Sequence, residues 1–263
     1  MFHAQKDHID LESSVEIAEG VHWVGFYDEQ AGLHCNPYLI VDNDEAIVID
    51  GGSRPDFATV MMKILQTGIA PNQIVALLYQ HYDPDLCGSI PNFEDIIKRN
   101  DLKILSDSEN LMFIRHYSVA TRLHPISKMN HQYTFSSGRT LQFIKTPYSH
   151  SGGSIVTFDP QSGILFTSDL FGSLGLEWEL FLNLKPECLG CASFAECPTS
   201  GRDSPMTRKQ YVVLFLGPYF DATFWSQTIH SQIVLHNQKT DATYAVPSAQ
   251  YPANTMADHS VKI

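Results

Sequence analysis

Three potential metal ligands follow one short apolar run in this chain. The run Ile74–Leu78 has the length and apolar character of a buried strand, and His81, Asp83 and Asp85 come at alternate positions just beyond it. Alternation places such side chains on one side of an extended segment, and Pro84 disfavours a helical conformation at the residue before it. One imidazole and two carboxylates can bind iron, manganese or zinc. The alternative interpretation is a solvated acidic turn that carries a single histidine.

Two further candidate ligands also follow strand-like runs. His150 lies in a loop of small residues between the runs 141–144 and 155–158, and Asp169 follows the run 163–168. Taken alone, an aspartate at a strand end is more often a helix cap or a turn residue. Groups at strand ends are nevertheless held on a rigid sheet and can face one crevice. The repetition of this arrangement at three places favours a common site over coincidence.

These residues resemble the metal-ligand series of the metallo-β-lactamase fold, and most closely its diiron branch, the flavodiiron proteins and the oxygen-binding diiron proteins. Zinc hydrolases of the fold typically carry His-x-His-x-Asp-His. This chain instead has Asp83 at the second histidine position and Leu86 at the last. Diiron members carry a carboxylate at the middle position. The resemblance covers residues 15–183 and includes the aspartate–glycine turn Asp50–Gly52.

The resemblance implies an α/β fold of the αββα sandwich type and a ligand set for two iron ions. It implies that His81, Asp83 and His150 bind one iron. It further implies that Asp85 binds the other iron and that Asp169 bridges the two. A carboxylate-rich set without a thiolate also favours iron or manganese over a zinc-selective site. We therefore expect two iron ions, with zinc or manganese as the alternatives.

The C-terminal segment departs from the family pattern. The family supplies a last histidine about sixty residues after the bridging aspartate, followed by glycine; His230 lies 61 positions on without that glycine, and His236 is the alternative. No glutamate follows Pro198, and the amphipathic helical pattern is lacking. We predict a diiron domain over residues 1–185 and a divergent or poorly ordered segment over 186–263. A shifted reading frame is the alternative, in which case the sandwich is incomplete at its C-terminus.

The resemblance implies a protein that binds dioxygen as a sensor, or an oxidoreductase that reduces dioxygen or nitric oxide. We expect no FMN and no flavodoxin domain within the chain, because no phosphate-binding loop of that kind follows residue 183. A separate redox or signalling partner is then required. One alternative is a metal-dependent hydrolase, in which a metal activates water for attack on an ester or thioester. Another is a scaffold without a complete site.

Composition restricts the remaining possibilities. The 263 residues suffice for one large domain, or for a domain with a short tail. A net charge of −12 and the lack of a basic stripe argue against nucleic acid. No apolar run reaches the length of a membrane span, and the first residues do not form a signal peptide. We therefore predict a cytoplasmic protein whose five cysteines are reduced.

Three helices are predicted around the first ligand loop. Apolar residues recur at helical spacing in 56–65, and a second helix is predicted over 93–99. Ser106 and Glu109 have the spacing of a capping box, which predicts that a helix starts there and continues through residues 111–114.

Overall fold

The computed structural model describes residues 10–28, 33–148 and 150–171, together with the backbone of seven short segments further along the chain. The first strands, in chain order, are β1 (Val15–Ala18), β2 (Val21–Trp23), β3 (Phe26–Asp28), β4 (Leu33–Cys35), β5 (Tyr38–Asp42), β6 (Glu45–Ile49), β7 (Ile74–Leu78), β8 (Lys103–Ser106), β9 (Leu123–Pro125), β10 (Gln132–Thr134), β11 (Thr140–Lys145), β12 (Ile155–Asp159) and β13 (Ile164–Phe166). The strands beyond residue 171 are β14 (Trp178–Glu179), β15 (Leu182–Asn183), β16 (Gln210–Tyr211), β17 (Val213–Phe215), β18 (Phe220–Gln227), β19 (His230–Asn237) and β20 (Ala242–Pro247). The α-helices are α1 (Phe57–Gln66), α2 (Pro84–Cys87), α3 (Ile90–Ile97) and α4 (Ser108–Ile114), and short 3-10 turns cover Pro71–Gln73, Arg115–Tyr117, Ile126–Met129 and Ser168–Phe171.

The larger sheet has seven strands in the order β1-β2-β5-β6-β7-β8-β9. The strands from β1 to β6 pair antiparallel, and those from β6 to β9 pair parallel. Parallel strands that are joined by helical crossovers end at the same edge of a sheet. The residues that follow β6, β7 and β8 therefore meet at one edge, although long segments of chain separate them.

The second sheet has six strands in the order β10-β11-β12-β13-β17-β15. Neighbours from β10 to β13 pair antiparallel, and β17 continues the sheet by pairing with β13. The strands β18, β19 and β20 form a separate antiparallel sheet. These strands lie with β16 and β17 in the segment 186–263, whose other residues are outside the described part of the chain. Its poor order stays a prediction.

Two apolar clusters lie on opposite faces of the larger sheet, because side chains alternate along a strand. In β5, Tyr38 and Ile40 face the cluster shared with the second sheet, whereas Leu39 faces the cluster shared with the helices. All four α-helices contribute residues to that outer cluster. The described residues thus form helical, sheet and sheet layers, which are three of the four layers of the predicted αββα sandwich.

The predicted helices are present, with shifted bounds. Helix α1 begins one residue later than predicted, and α3 runs from 90 to 97 because Lys98 adopts a left-handed conformation with φ of 51°. The prediction that Ser106 caps the third helix is wrong. Asp107 is the cap, since its carboxylate accepts a hydrogen bond from the Glu109 amide at 3.0 Å. The Ser106 hydroxyl instead donates to the Tyr79 carbonyl at 2.6 Å.

Candidate metal centre

The first ligand loop combines an extended segment with a short helix. Strand β7 delivers His81 to the sheet edge, and Asp83 is extended with φ of −67° and ψ of 153°. The predicted extended course ends there, however, because Pro84 is the first residue of α2. Proline is favoured at this position, where its fixed φ suits a helix and its missing N–H is not needed. Asp85 therefore lies in the first turn of α2 rather than in line with His81 and Asp83.

Four of the predicted ligands come together at the strand ends. His81, Asp83, His150 and Asp169 each offer one ligand atom, and these atoms all lie within 4.8 Å of one another. His150 comes from the loop between β11 and β12, and Asp169 lies in the 3-10 turn that follows β13. His81 and Asp83 follow a strand of the larger sheet, whereas His150 and Asp169 follow strands of the second sheet. The cluster therefore forms only when the two sheets pack against each other.

The distances within the cluster suit one cation. The Nε2 atom of His81 lies 3.5 Å from an Oδ2 atom on Asp83 and 3.5 Å from one on Asp169. The Nε2 atom of His150 lies 3.0 Å from Asp83 Oδ2 and 3.8 Å from Asp169 Oδ2. Ligands that each bind a metal at about 2.0–2.2 Å are separated from one another by spacings of this order.

The Nε2 atom of His81 is buried and lacks a hydrogen-bond partner among the described residues. The residue is 1% exposed, and its Nδ1 atom lies 3.0 Å from the Ser168 hydroxyl. An unsatisfied buried polar atom costs about 1–3 kcal/mol. A cation between His81 and the two carboxylates removes that cost, so the residues present fit a metal ion.

Asp85 lies outside the four-residue cluster but beside it. Asp85 and Asp169 both line a small cleft whose other walls include Asp50, His34 and Cys35. Asp169 is thus common to the cluster and to the cleft.

Leu86 and His230 are the two positions whose part in metal binding the sequence left open. Leu86 is buried in the outer apolar cluster, so this position contributes packing and no ligand atom. His230 begins β19, where its backbone pairs with Gln227. The His230 side chain lies outside the described part of the structure, and its role as the last ligand stays a prediction.

The surroundings shift the pKa values of His81 and His150 in opposite directions. Burial, together with the nearby His150 ring, lowers the pKa of His81 to about 4, so His81 is neutral at physiological pH. The hydrogen bond with Asp83 raises the pKa of His150, and the same bond lowers the pKa of Asp83. His81 is therefore ready to bind a cation, whereas the Nε2 atom of His150 lies within hydrogen-bond distance, 3.0 Å, of the Asp83 carboxylate.

The remaining carboxylates repel one another without a cation. Burial raises the pKa of Asp85, and the Asp169 carboxylate raises it further. Burial also raises the pKa of Asp169, with Asp83 adding to the effect. Like charges held close together disfavour ionisation, and a bound cation reverses this.

Three residues that support the cluster were not singled out from the sequence as part of the site. Asp50 accepts hydrogen bonds from the amide and the side chain of Gln80, and the Ser168 hydroxyl lies 3.0 Å from Nδ1 of His81. The only local signal was the aspartate–glycine turn after β6. A hydrogen bond between residues far apart in the chain leaves no pattern in one sequence.

The layered fold and a histidine–carboxylate cluster at the strand ends define a protein of the metallo-β-lactamase fold. The model of the family described as ODP family beta lactamase matches residues 33–196, which is more than half of the chain. The chain belongs to this family, and the resemblance found in its sequence is confirmed. Among the described residues, no helix is long and apolar enough to cross a membrane.

Curated relatives are similar over part of their length. Diflavin flavoprotein A 1 of Synechocystis sp. is 28% identical over 144 residues, which cover 54% of this chain and 24% of the relative. The nitric oxide reductase of Moorella thermoacetica is 26% identical over 175 residues, which cover 62% of this chain and 43% of the relative. The chain thus spans less than half the length of either relative.

A solved structure of the chemotaxis sensor ODP, in its peroxy diiron species, is similar with a TM-score of 0.51 and 25% identity. The match covers 63% of this chain and 67% of that chain. The apo state of the sensor from T. denticola matches with a TM-score of 0.50.

Proposed function

We propose that this protein holds two iron ions and binds dioxygen. The observation that carries the proposal is the cluster of His81, Asp83, His150 and Asp169, in which the buried Nε2 of His81 has no hydrogen-bond partner among the described residues. Two imidazoles, several carboxylates and no thiolate suit iron. The peroxy diiron species solved for the sensor ODP, at 25% identity, supports the same metal.

Each residue has a proposed role. His81, Asp83 and His150 would hold one iron, Asp85 would hold the other, and Asp169 would bind both. His230 remains the candidate for the last ligand of the second iron. When bound, the two irons supply the electrons and the open positions that dioxygen or nitric oxide needs.

The chain's own groups prepare the site for this task. His81 is neutral before a cation arrives, because burial lowers its pKa to about 4. Asp85 lies in the first turn of α2 and lines the same cleft as Asp169. The buried Leu86 keeps the adjacent position apolar, which departs from the hydrolase pattern and supports dioxygen over an ester as the ligand.

We also propose a separate redox or signalling partner. Reduction of dioxygen to water takes four electrons, and two ferrous ions that become ferric release two. Repeated turnover therefore requires electrons from outside the metal centre. A sensor needs no turnover, but it needs a partner that responds to the bound state. The relative from Moorella, a nitric oxide reductase, supports nitric oxide as an alternative ligand of the same centre.

Exposure of the reduced, iron-loaded protein to dioxygen tests the proposed function. We expect new absorption in the near-ultraviolet and visible range after one addition of dioxygen, and multiple turnover only after an electron donor is added. The measurement is an anaerobic titration followed by absorption spectroscopy. Rapid hydrolysis of a thioester by the zinc-loaded protein, with no spectral response of the iron form to dioxygen, would assign the protein to the hydrolases instead.

Metal binding should release a proton from His150 at acidic pH. A histidine must be neutral to bind a metal, and the bond to Asp83 raises the pKa of His150. The apparent affinity should therefore fall as the pH is lowered through that raised pKa. Calorimetric titration at about pH 6 and about pH 8, on either side of the ordinary histidine value, in buffers of different ionisation enthalpy, counts the protons. No proton release at about pH 6 would show that His150 is already neutral there.

A further inference from the structure

The buried side chain of Asn110 contacts the two chain segments that carry the histidines of the cluster. Asn110 lies in α4 and is 0% exposed. Its Nδ2 atom donates to the Gly153 carbonyl at 2.7 Å and to the Gln80 carbonyl at 3.4 Å. Gln80 immediately precedes His81, and Gly153 lies three positions after His150. One amide group on a helix thus lies between two segments that are far apart in the chain.

The hydrogen bonds of the Asn110 side chain use it as a donor. The Ser106 hydroxyl donates to the Tyr79 carbonyl at 2.6 Å, so the Ser106 oxygen accepts from Asn110 Nδ2 at 2.9 Å. The Oδ1 atom of Asn110 is buried without a hydrogen-bond partner among the described residues. An unpaired buried oxygen is a cost that an apolar side chain of similar size would avoid. The two N–H groups are therefore what the structure uses at this position.

The Gln80 end of this contact is also held by other bonds. The Gln80 amide and side chain donate to Asp50 at 2.9 and 2.8 Å, and the Gln80 carbonyl accepts from the Ile155 amide at 2.9 Å. The 3.4 Å contact with Asn110 adds little to these, because hydrogen bonds weaken with distance. The loop between β11 and β12 therefore depends on Asn110 more than the end of β7 does.

The loop between β11 and β12 is held in shape by its own backbone. The amides of Tyr148 and Ser154 both donate to the Ser151 carbonyl, at 2.9 and 3.2 Å. His150 lies inside this turn, and Gly153 lies at its end, where the loop meets α4. Because these bonds keep the turn together, a displacement of Gly153 moves His150 with it.

Two adjacent glycines of this loop have different amounts of space beside α4. A Cβ atom at Gly153 would overlap the Asn110 side chain and lie 2.9 Å from the Asn110 backbone nitrogen. A Cβ atom at Gly152 would mainly meet the carboxylate of Glu109, the end of a flexible and exposed side chain. Neither glycine has a positive φ, so alanine suits the backbone at both positions. Only Gly153 is required for the close approach to Asn110.

We propose that Asn110 is a positioning residue, which holds the loop of His150 against α4 through the Gly153 carbonyl and so sets the place of His150 relative to His81. The proposal rests on the proposed metal-binding function, but neither Asn110 nor Gly153 binds the cation. The effect of Asn110 on metal affinity is transmitted through His150.

Asn110→Ala and Gly153→Ala disturb this contact from its two sides. We expect each variant to bind Co²⁺ about 10-fold more weakly, at the lower end of the usual effect of losing a residue that orients a metal ligand. Gly152→Ala is the matched control and should leave the Co²⁺ affinity unchanged. The measurement is the Co²⁺ dissociation constant of the full chain, from visible absorption with a competing chelator, with circular dichroism to verify that each variant is folded.

A double-mutant cycle with His150→Ala separates positioning from a general loss of stability. If Asn110 acts through His150, Asn110→Ala should weaken Co²⁺ binding in the original protein but not in the His150→Ala background, since the two changes then remove the same interaction. A general loosening of the fold would weaken Co²⁺ binding equally in both backgrounds. If Asn110→Ala does not fold, Gly153→Ala takes its place in the same cycle.

Three results would each overturn the proposal: unchanged Co²⁺ affinity in Asn110→Ala, an equal loss of affinity in the two backgrounds of the cycle, or an equal loss in Gly152→Ala and Gly153→Ala. Absence of Co²⁺ binding by the original protein would instead contradict the proposed function itself, and the positioning role with it.

Discussion

His81→Ala is expected to remove most of the iron from protein purified anaerobically from iron-replete cells. His81 is the most buried member of the cluster, and its Nε2 atom faces two carboxylates at 3.5 Å. Loss of a supporting partner weakens metal binding about 10–100-fold, so loss of a direct ligand should exceed about 100-fold. The measurement is iron per chain by elemental analysis, with circular dichroism to verify that the variant is folded.

His116→Ala is the matched control for this prediction. His116 is an exposed histidine on the turn after α4 and lies outside the metal-binding cluster, so its loss should leave the iron content unchanged. An iron content in His81→Ala equal to that of the control would contradict the role of His81. Two zinc ions and no iron in the original protein would contradict the diiron proposal as a whole.

Arg139→Met is expected to lower the free energy of unfolding by about 3–5 kcal/mol, the usual cost of leaving one partner of a buried ion pair uncompensated. The Arg139 guanidinium lies 2.6 Å from the Asp159 carboxylate, and the two side chains are 2% and 0% exposed. Arg139 also donates to the Val41 carbonyl at 3.4 Å, which connects the second sheet to the first. The backbone amide of Ser162 still donates to Asp159, which favours the lower end of that range. Denaturant unfolding of the metal-free protein measures the change.

Asp101→Asn tests whether burial decides the size of the effect. Asp101 pairs with Arg99 at 2.7 Å, nearly the same distance, but its side chain is 71% exposed. Solvent screens such a pair, so its loss should change the free energy of unfolding far less than Arg139→Met does. Equal losses in Arg139→Met and Asp101→Asn would show that the Arg139–Asp159 pair is hydrated in solution and does not stabilise the contact between the sheets.

Local sequence predicted the parts of this site that depend on neighbours in the chain. The five apolar residues of Ile74–Leu78 form a fully buried strand, because no alternation with polar residues left a face for solvent. His81 therefore had to follow a strand end. Helix α1 was found within one residue, because its apolar residues recur at helical spacing: Val60, Met61 and Ile64 are buried, although Met62 and Leu65 stay exposed.

Local rules failed where two of them competed. Pro84 disfavours helix at the residue before it but favours helix at its own position, and here it begins α2. Ser106 and Asp107 could each cap α4. The buried Tyr79 carbonyl accepts the Ser106 hydroxyl, and this leaves the cap to Asp107. Each choice depended on a residue outside the local segment.

By itself, the sequence determined the ligand types, their order along the chain and the family they belong to, because these depend on residue identity and on spacing from strand ends. Only the tertiary structure decided that His81 and His150, 69 positions apart, place their rings 4.5 Å from each other. It also decided that the Asp50 carboxylate accepts two hydrogen bonds from Gln80, 30 positions further along the chain. The physical reason is that such contacts form only when strands pair and sheets pack, and the residues that make them carry no local signal of their partners.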